Sequence, residues 1–247
     1  MKVLITGAHG DIAQSIFRII KTAYSKTSIH GMDCKNDGPG KYFFEKFFLS
    51  YRASDKNYIK FIKKISKKYN LIIPTSEAEM ICLSKNYSKI KNLPILINNP
   101  KIINLFVDKL KTFKFLKDKN IGVPSFCVSL KNIKKYTKPF FLKTKMGSGN
   151  KNYKIINSKN KFNSLKKLEK SKWIAQEFLG NNTLEFTCGL IKIGKYKNCI
   201  ILKRKLTNGL TYYAEEYKSQ KLEKILYKLD FECQIRSEIK LFKADLA

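Results

Sequence analysis

The stretch that decides the fold runs from Lys138 to Asn150 and reads KPFFLKTKMGSGN. An apolar strand ending on Lys143 is followed by a glycine loop, Gly147-Ser148-Gly149, and a second strand resumes at Tyr153. Glycines let backbone N–H groups approach phosphate oxygens without a Cβ in the way, and the lysine adds a positive charge on a flexible stem. The stretch predicts a hairpin that closes over phosphates, with an ordinary glycine hairpin and a solvated lysine as the alternative. It is not the Walker loop, which leads into a helix and carries its lysine after the glycines.

Upstream of this stretch, predicted strands alternate with predicted helices. The apolar run Val3–Thr6 leads into a glycine turn, Gly7–Gly10, and then into apolar residues at helical spacing, which is typical of the opening of a Rossmann-like unit. Thr75-Ser76 followed by Glu77 and Glu79 predicts a helix N-cap with carboxylates in the first turn. Further strands are predicted at Ile29–Met32, Phe47–Leu49, Leu71–Pro74 and Pro94–Ile97. The alternation predicts a parallel α/β sheet for residues 1–99.

After Pro100 the pattern changes. A single helix is predicted from Lys101 to Lys119, with a turn at Ile121–Pro124. Two basic helices are predicted near Lys161–Lys170 and Gln220–Leu229, and Ile193-Gly194-Lys195 is typical of a hairpin turn. Strands are predicted at Phe126–Ser129, Phe140–Thr144, Tyr153–Asn157, Trp173–Phe178, Leu184–Ile193 and Asn198–Lys205. This order predicts an α+β domain over residues 100–247.

The composition limits the classes of partner. The net charge is +31, but only four residues are arginine (Arg18, Arg52, Arg204 and Arg236), and the lysines are spread along the whole chain. Such a spread is typical of an AT-rich genome, whereas a nucleic-acid surface more often clusters arginine and interleaves aromatic residues. The six cysteines form no CxxC pair, which argues against a zinc site and favours reduced thiols. No apolar run approaches the roughly 20 residues of a membrane helix. We therefore predict a cytoplasmic protein that binds neither membrane nor nucleic acid.

The order of the segments resembles the ATP-grasp superfamily, and within it the carbamoyl-phosphate-synthase large-subunit-like carboxylate–amine ligases. The resemblance covers nearly the whole chain, and it depends on the order and spacing of several short motifs rather than on one of them. The motifs are Val3–Gly7, Ile73–Glu77, Val107–Lys109 followed by Asn120–Pro124, Pro139–Asn150, Ile174–Gly180 and Leu184–Thr187.

The resemblance implies a Rossmann-like pre-ATP-grasp domain at residues 1–99 and an ATP-grasp domain at 100–247. The latter would divide into a lid subdomain, 100–172, and a partial C-terminal subdomain, 173–247, with ATP between them. Lys109 and Lys143 would contact phosphate oxygens, together with the loop Gly147-Ser148-Gly149. Backbone groups in the hinge would contact adenine, and Glu185 would accept hydrogen bonds from ribose hydroxyls. Lys203 and Arg204 would face the terminal phosphate or the acyl-phosphate. The hinge residues are Gln176, Glu177, Phe178 and Leu179.

The resemblance also implies a magnesium site. Family members hold Mg²⁺ with a Gln or Glu on one strand and a Glu-x-Asn on the next, and Gln234 lies at the first of these positions. The chain ends at Ala247 before a Glu-x-Asn-x-Arg segment, with Glu238 on the same strand face as Gln234. We therefore expect the last metal-binding segment to be lacking, so that ATP binding and catalysis separate. The expected activity is that of a ligase joining a small-molecule carboxylate to an amine or thiol through an acyl-phosphate, with ATP and Mg²⁺.

Two alternatives remain at this point. The first is an NAD(P)-dependent short-chain dehydrogenase, because Thr6–Ile12 fits a TGxxGxI turn and Asp33 ends the second strand. Such enzymes also need a catalytic Tyr-x-x-x-Lys pair, and the match at Tyr87 to Lys91 falls earlier than the usual place and is more typical of a solvated helix face. The strand-rich second half does not suit that class. The second is a non-catalytic nucleotide-binding protein or a fragment of an enzyme. The sequence leaves the oligomeric state open, and an oligomer is compatible with it.

Overall fold

The computed structural model describes residues 1–128, 139–146, 153–157, 172–179, 185–193, 195–207 and 210–229. The chain divides into two compact units, Met1–Asn104 and Leu105–Ala247. None of the helices in these ranges is long and apolar enough to cross a membrane. The predicted basic helix near Lys161–Lys170 lies outside the described residues.

The first unit contains a four-stranded parallel sheet, which confirms the prediction for this part of the chain. Its strands are β1 (Lys2–Thr6), β2 (Ser28–Asp33), β3 (Lys46–Leu49) and β4 (Leu71–Ile73), in the spatial order β3-β2-β1-β4. All three strand pairs are parallel. Val3 and Ile5 of β1 and Ile29 of β2 are fully buried in the core of this unit. The order reverses at β1, so the carboxyl ends of β1 and β4 form the crevice where sheets of this kind usually bind ligands.

Helices connect these strands. Helix α1 begins directly after the glycine turn, and its apolar residues Ile16, Phe17 and Ile20 pack against the sheet. Helix α4 begins as predicted, because the Ser76 side chain accepts a hydrogen bond from the backbone N–H of Glu79. The helices of this part of the chain are α1 (Asp11–Ala23), α2 (Gly40–Phe43), α3 (Tyr58–Ser66), α4 (Glu77–Lys85) and α5 (Tyr87–Ile90).

The strand predicted at Pro94–Ile97 is reduced to one bridge. Ile95 forms an isolated parallel bridge with Ile72, supported by hydrogen bonds from the Ile72 N–H to the Pro94 carbonyl (2.7 Å) and from the Leu96 N–H to the Ile72 carbonyl (2.8 Å). Proline has no N–H to give to a ladder, and β4 itself is only three residues long. The apolar run therefore lies along the edge of the sheet without becoming a strand.

The helix predicted from Lys101 to Lys119 is two helices, α6 (Pro100–Phe106) and α7 (Lys109–Asp118). Asp108 separates them with an extended backbone, and its carboxylate accepts hydrogen bonds from the N–H groups of Leu110 and Lys111. The aspartate thus caps α7. The prediction of a single helix was wrong, because the apolar residues keep helical spacing across Asp108 and so give no sign of the break.

The second unit contains two antiparallel sheets. The first has the order β5-β8-β6-β7, with β5 (Phe126–Cys127), β6 (Phe140–Thr144), β7 (Tyr153–Ile156) and β8 (Trp173–Glu177). The second has the order β11-β10-β9, with β9 (Glu185–Ile193), β10 (Tyr196–Thr207) and β11 (Leu210–Glu216), followed by helix α8 (Gln220–Tyr227). Strand β11 was not predicted. Residues 211–218 are all exposed, so β11 has no buried face from which to recognise it.

Helix α7 contacts both sheets of this unit. The Phe113 ring lies 5.1 Å from the Phe126 ring of β5, centroid to centroid. One turn further on, Leu116 joins a buried cluster with Phe186 of β9 and Leu222 of α8. The helix is therefore packed between the two sheets, with its N-terminus at one end of β6.

Candidate functional site

Strand β6 carries Lys143 in the middle of its sheet. Lys143 is paired with Ile174 of β8 on one side and Tyr153 of β7 on the other. Phe141 lies directly opposite Gln176, so Lys143 and Gln176 are diagonal neighbours on one face, about 7–8 Å apart by the usual spacing. The Lys143 ammonium lies 5.7 Å from the centroid of the Phe113 ring. The structure thus brings a predicted phosphate contact and a predicted hinge residue to one face.

Lys109 is held at the end of the same strand. Its backbone N–H donates to the Lys145 carbonyl (2.9 Å), and Asp108 forms a bridge with Met146. Lys109 is also the first residue of α7, where the helix dipole favours anions. Lys143, Lys109 and the N-terminus of α7 therefore lie near the end of β6. The predicted loop Gly147-Ser148-Gly149, which follows Met146 directly, lies outside the described residues.

The hinge segment continues from β8. The Glu177 N–H donates to the Ser125 carbonyl (2.8 Å), the Glu177 carboxylate accepts from the Ser125 N–H (3.3 Å), and the Phe178 N–H donates to the Pro139 carbonyl (3.2 Å). Both of these hinge N–H groups are occupied, so a ligand must use other backbone groups of the segment, which ends at Leu179. Gln176 is 3% exposed and its Oε1 has no hydrogen-bond partner. A buried polar atom without a partner calls for an explanation, and a bound ligand is one of the usual ones.

The second sheet places Glu185 beside Arg204. These residues are directly opposite in the β9–β10 register, and the Arg204 Nη2 lies 2.6 Å from the Glu185 Oε1. The Arg204 Nη1 donates to the Thr211 Oγ1 of β11 at 3.1 Å. Only 11% of the Arg204 side chain is exposed, against 31% for Glu185. The guanidinium therefore ties three strands together on one face of the sheet.

Lys203 does not share this face. Neighbouring side chains on a strand point to opposite sides, so Lys203 lies on the face of Phe186, its partner in the register, and pairs at 3.5 Å with Glu215. The two residues that we predicted to act together on the terminal phosphate are thus on opposite faces of β10. Of the two, only Arg204 lies on the Glu185 face.

The predicted magnesium ligand Gln234 lies outside the described residues. Within the residues described, no group of three or more His, Cys, Asp or Glu side chains is arranged to hold a metal ion. The described part of the chain therefore holds the two lysines predicted to contact phosphate, Lys109 and Lys143, but no metal centre.

Three successive N–H groups of the glycine turn after β1 are bonded within the protein. The Ala8 N–H donates to the Met32 carbonyl (3.1 Å), the His9 N–H to the Asp33 carboxylate (3.2 Å) and the Gly10 N–H to the Gly7 carbonyl (3.0 Å). Asp33, the expected ribose acceptor of a dehydrogenase, is thereby engaged. A Cβ on Gly40 would lie 2.5 Å from the Ala8 carbonyl oxygen, so the start of α2 packs directly on the turn. This geometry disfavours the dehydrogenase alternative.

Glu79 is a buried carboxylate in the first unit, and its burial was not predicted. Glu79 is 8% exposed, and its carboxylate accepts hydrogen bonds from the hydroxyls of Thr6, Tyr58 and Ser76, each at 2.8 Å. Burial raises the pKa of Glu79, while the bonds from Ser76, Tyr58 and Thr6 act against that rise. The sequence signal was present, because Ser76 and Glu79 form a capping box. These bonds join β1, α3 and α4 at the carboxyl end of the sheet.

The chain resembles known proteins over both units. A family profile described as PylC-like, N-terminal domain, matches residues 3–97. An uncharacterised protein, MG011, of Mycoplasma genitalium is 28% identical over 170 residues, which cover 66% of this chain and 56% of that protein. The bifunctional polymyxin resistance protein ArnA of Wigglesworthia glossinidia brevipalpis is 26% identical over 130 residues, or 53% of this chain and 16% of that protein.

Solved structures share the fold at low identity. N5-carboxyaminoimidazole synthetase from Staphylococcus aureus superposes with a TM-score of 0.71 at 17% identity, over 93% of this chain and 61% of that one. A second structure of that enzyme contains ADP. The L-amino acid ligase from Bacillus licheniformis gives a TM-score of 0.67 at 13% identity, over 99% and 64% of the two chains.

The chain spans 61% to 64% of the length of these two enzymes. Residues 3–97 match a PylC-like N-terminal domain, and the chain has the fold of these two enzymes over 93% to 99% of its length.

Proposed function

We propose that this chain binds ATP and takes part in the ATP-dependent ligation of a small-molecule carboxylate to an amine or thiol. One observation carries the proposal: Lys143 and Gln176 share one sheet face, with Lys109 bound at the end of the same strand. The partnerless Oε1 of buried Gln176 lies on this face, beside the hinge. The ADP complex of the Staphylococcus aureus enzyme, which has this fold, supports the choice of nucleotide.

The proposed contacts follow from the chemistry of each group. Lys109 and Lys143 contact the phosphates, because ammonium groups offset phosphate charge, and the loop Gly147-Ser148-Gly149 adds backbone N–H groups. The hinge from Gln176 to Leu179 binds the adenine edge, with the Gln176 amide oxygen able to accept from an exocyclic amino group. Glu185 accepts hydrogen bonds from the ribose hydroxyls. In this proposal residues 1–99 form the pre-ATP-grasp domain, 100–172 the lid and 173–247 the rest of the ATP-grasp domain.

In the proposed reaction, ATP supplies the phosphoryl group that activates the carboxylate as an acyl-phosphate. Two anions must approach each other, so the cations at the end of β6 stabilise the charge that the approach concentrates. Gln234 is the proposed ligand for Mg²⁺, which prefers oxygen ligands. A ligase of this kind releases ADP only when the carboxylate is present, and this is measured with magnesium over a panel of carboxylates and amines. ADP release that is independent of added carboxylate would contradict the proposed reaction.

Thermal unfolding with added ligand tests the choice of nucleotide. A ligand at about 100 times its Kd stabilises the folded state by about 2.7 kcal/mol, which is several degrees in Tm for a chain of this size. We expect ATP and ADP to raise Tm and NADH to leave it unchanged. A rise with NADH alone would refute the proposal.

Replacement of Lys143 tests the site itself. Lys143→Ala removes a charged contact, so we expect ATP to bind more weakly by roughly 1.5–3 kcal/mol. The matched control is Lys154→Ala, because Lys154 lies on the neighbouring strand, pairs with Leu142 and is exposed on the opposite face. Equal ATP affinity in the two folded variants, measured by calorimetry, would show that Lys143 does not contact the nucleotide.

A further inference from the structure

We propose that Arg204 is a positioning residue that orients Glu185 for the ribose hydroxyls, and that it does not contact phosphate. The inference rests on the proposed nucleotide site and assigns a role within it. It replaces the expected role of Arg204 at the terminal phosphate with one that the geometry of β9, β10 and β11 supports.

Both outer nitrogens of the guanidinium have hydrogen-bond partners. Its Nη2 is 2.6 Å from the Glu185 Oε1 and its Nη1 is 3.1 Å from the Thr211 Oγ1. The bond to Glu185 joins two directly opposed residues of β9 and β10, and the bond to Thr211 reaches across to β11. The third nitrogen, Nε, is buried. With 11% of the side chain exposed, Arg204 has little surface to offer a triphosphate.

Glu185 has the complementary properties. Its side chain is 31% exposed, nearly three times the fraction for Arg204, so it is the member of the pair that a ligand can reach. An ionised carboxylate has about four acceptor positions, so the bond from Arg204 does not by itself occupy them all. A glutamate side chain on a strand otherwise loses considerable rotamer freedom when it binds. Arg204 reduces this loss of rotamer freedom by holding Glu185 before the nucleotide binds. Its own bond to Thr211 keeps the guanidinium in place.

Arginine is required for this arrangement. Its planar guanidinium presents donors at fixed angles, so it can bond to β9 and β11 at once, whereas a lysine ammonium is a point charge on a flexible stem. The proposal therefore predicts that Arg204→Lys keeps the charge of the site but loses the orientation of Glu185.

The test compares the affinities of four nucleotides for the full chain by calorimetry: ATP, 2′-deoxy-ATP, ADP and AMP. We expect the wild type to prefer ATP over 2′-deoxy-ATP by roughly 10- to 100-fold, the range for a hydrogen bond to a charged acceptor. Arg204→Met should reduce this preference to the value found for Glu185→Gln. It should leave the ratios among ATP, ADP and AMP as in the wild type, because those ratios report phosphate contacts. Arg204→Lys should behave like Arg204→Met in the ribose preference.

The matched control is Lys205→Met. Lys205 is the next basic residue on β10, is exposed, and lies on the opposite face beside Tyr213. It should retain the wild-type preference. If Arg204→Met does not fold, Thr211→Val provides the same test, since it removes the second anchor and keeps the arginine; it too should reduce the ribose preference.

Two results would overturn the inference in different ways. If the ATP, ADP and AMP affinities converge in Arg204→Met while the ribose preference persists, Arg204 contacts phosphate, and the nucleotide site stands without the inference. If the wild type binds no adenine nucleotide, the proposed function itself fails and the inference fails with it.

Discussion

Removing the Tyr58 hydroxyl should destabilise the first unit by an amount that grows with pH. The Tyr58 hydroxyl donates to the Glu79 Oε1 at 2.8 Å, and both residues are buried. A hydrogen bond to a charged group contributes about 1.5–3 kcal/mol, and one between neutral groups about 0.5–1.5 kcal/mol. In Tyr58→Phe the ring remains and the donor is lost. We therefore expect a decrease in the free energy of unfolding of about 1.5–3 kcal/mol where Glu79 is ionised, and less where it is protonated.

The pH dependence follows from the direction of the pKa shift. Burial raises the pKa of Glu79 above its usual value of 4.5. A raised pKa in the folded state contributes stability that is fully present below the unfolded-state pKa and is lost as the pH rises through the folded-state pKa. Because the Tyr58 bond opposes the rise, Tyr58→Phe raises the pKa of Glu79 further. The variant should therefore lose more stability relative to the wild type at pH 9 than at pH 5.

Urea denaturation followed by circular dichroism at several pH values measures this difference. Tyr42→Phe is the control, because the Tyr42 side chain is 84% exposed and its hydroxyl should not affect stability. A Tyr58→Phe penalty that is the same at pH 5 and pH 9 would show that Glu79 does not change its ionisation in this range. A penalty no larger than that of Tyr42→Phe would show that the buried hydrogen bond contributes nothing.

Three further outcomes are expected. Asp108→Ala removes the cap of α7, so it should lower the free energy of unfolding by about 0.5–2 kcal/mol in urea denaturation. It should also weaken ATP binding in calorimetry, because Lys109 loses its support. Unchanged ATP affinity would show that the cap does not contribute to the nucleotide site. Cys188 is buried, which raises its pKa to about 11, whereas Cys34 is exposed. Iodoacetamide at pH 8 should therefore leave Cys188 unmodified in the folded chain while Cys34 reacts, which mass spectrometry of peptides measures. Equal labelling of the two cysteines would contradict the burial of Cys188. Gly7→Ala should lower Tm, because Gly7 has φ of +63° and a Cβ there would lie 2.7 Å from the Thr75 Oγ1; a Tm equal to that of the wild type would show that the turn relaxes freely.

The sequence predicted the fold well where burial imposes a period. The buried strands β1 and β2 and the hairpin of β6 and β7 are apolar runs next to glycines, and they occur as predicted. Strand β11 was missed because its stability comes from pairing with β10 rather than from an apolar face. Pro94–Ile97 was overpredicted for the opposite reason, since it is apolar but pairs with β4 at a single bridge, to Ile72.

The candidate site was harder to predict than the fold. The motif order supplied Lys109, Lys143 and Glu185, and strand alternation alone could have separated Lys203 from Arg204. The Glu185–Arg204 pair follows from the register between β9 and β10, in which Ile193 pairs with Tyr196. The turn predicted at Ile193–Lys195 gives this register only if the loop length is known to the residue, because a shift of one residue turns every side chain of a strand to the other face.

If the proposed nucleotide site is right, helix α7 makes nucleotide affinity depend on residues that no nucleotide touches. Lys109 begins this helix, and Phe113 and Leu116 of the same helix pack on two different sheets. Protein interiors are close-packed and pass small displacements from one side chain to the next. A smaller side chain at Leu222, which packs in the cluster of Leu116, would therefore shift the helix and with it the phosphate end of the site. A genetic screen for altered ATP affinity should recover substitutions in this cluster as well as at the lysines.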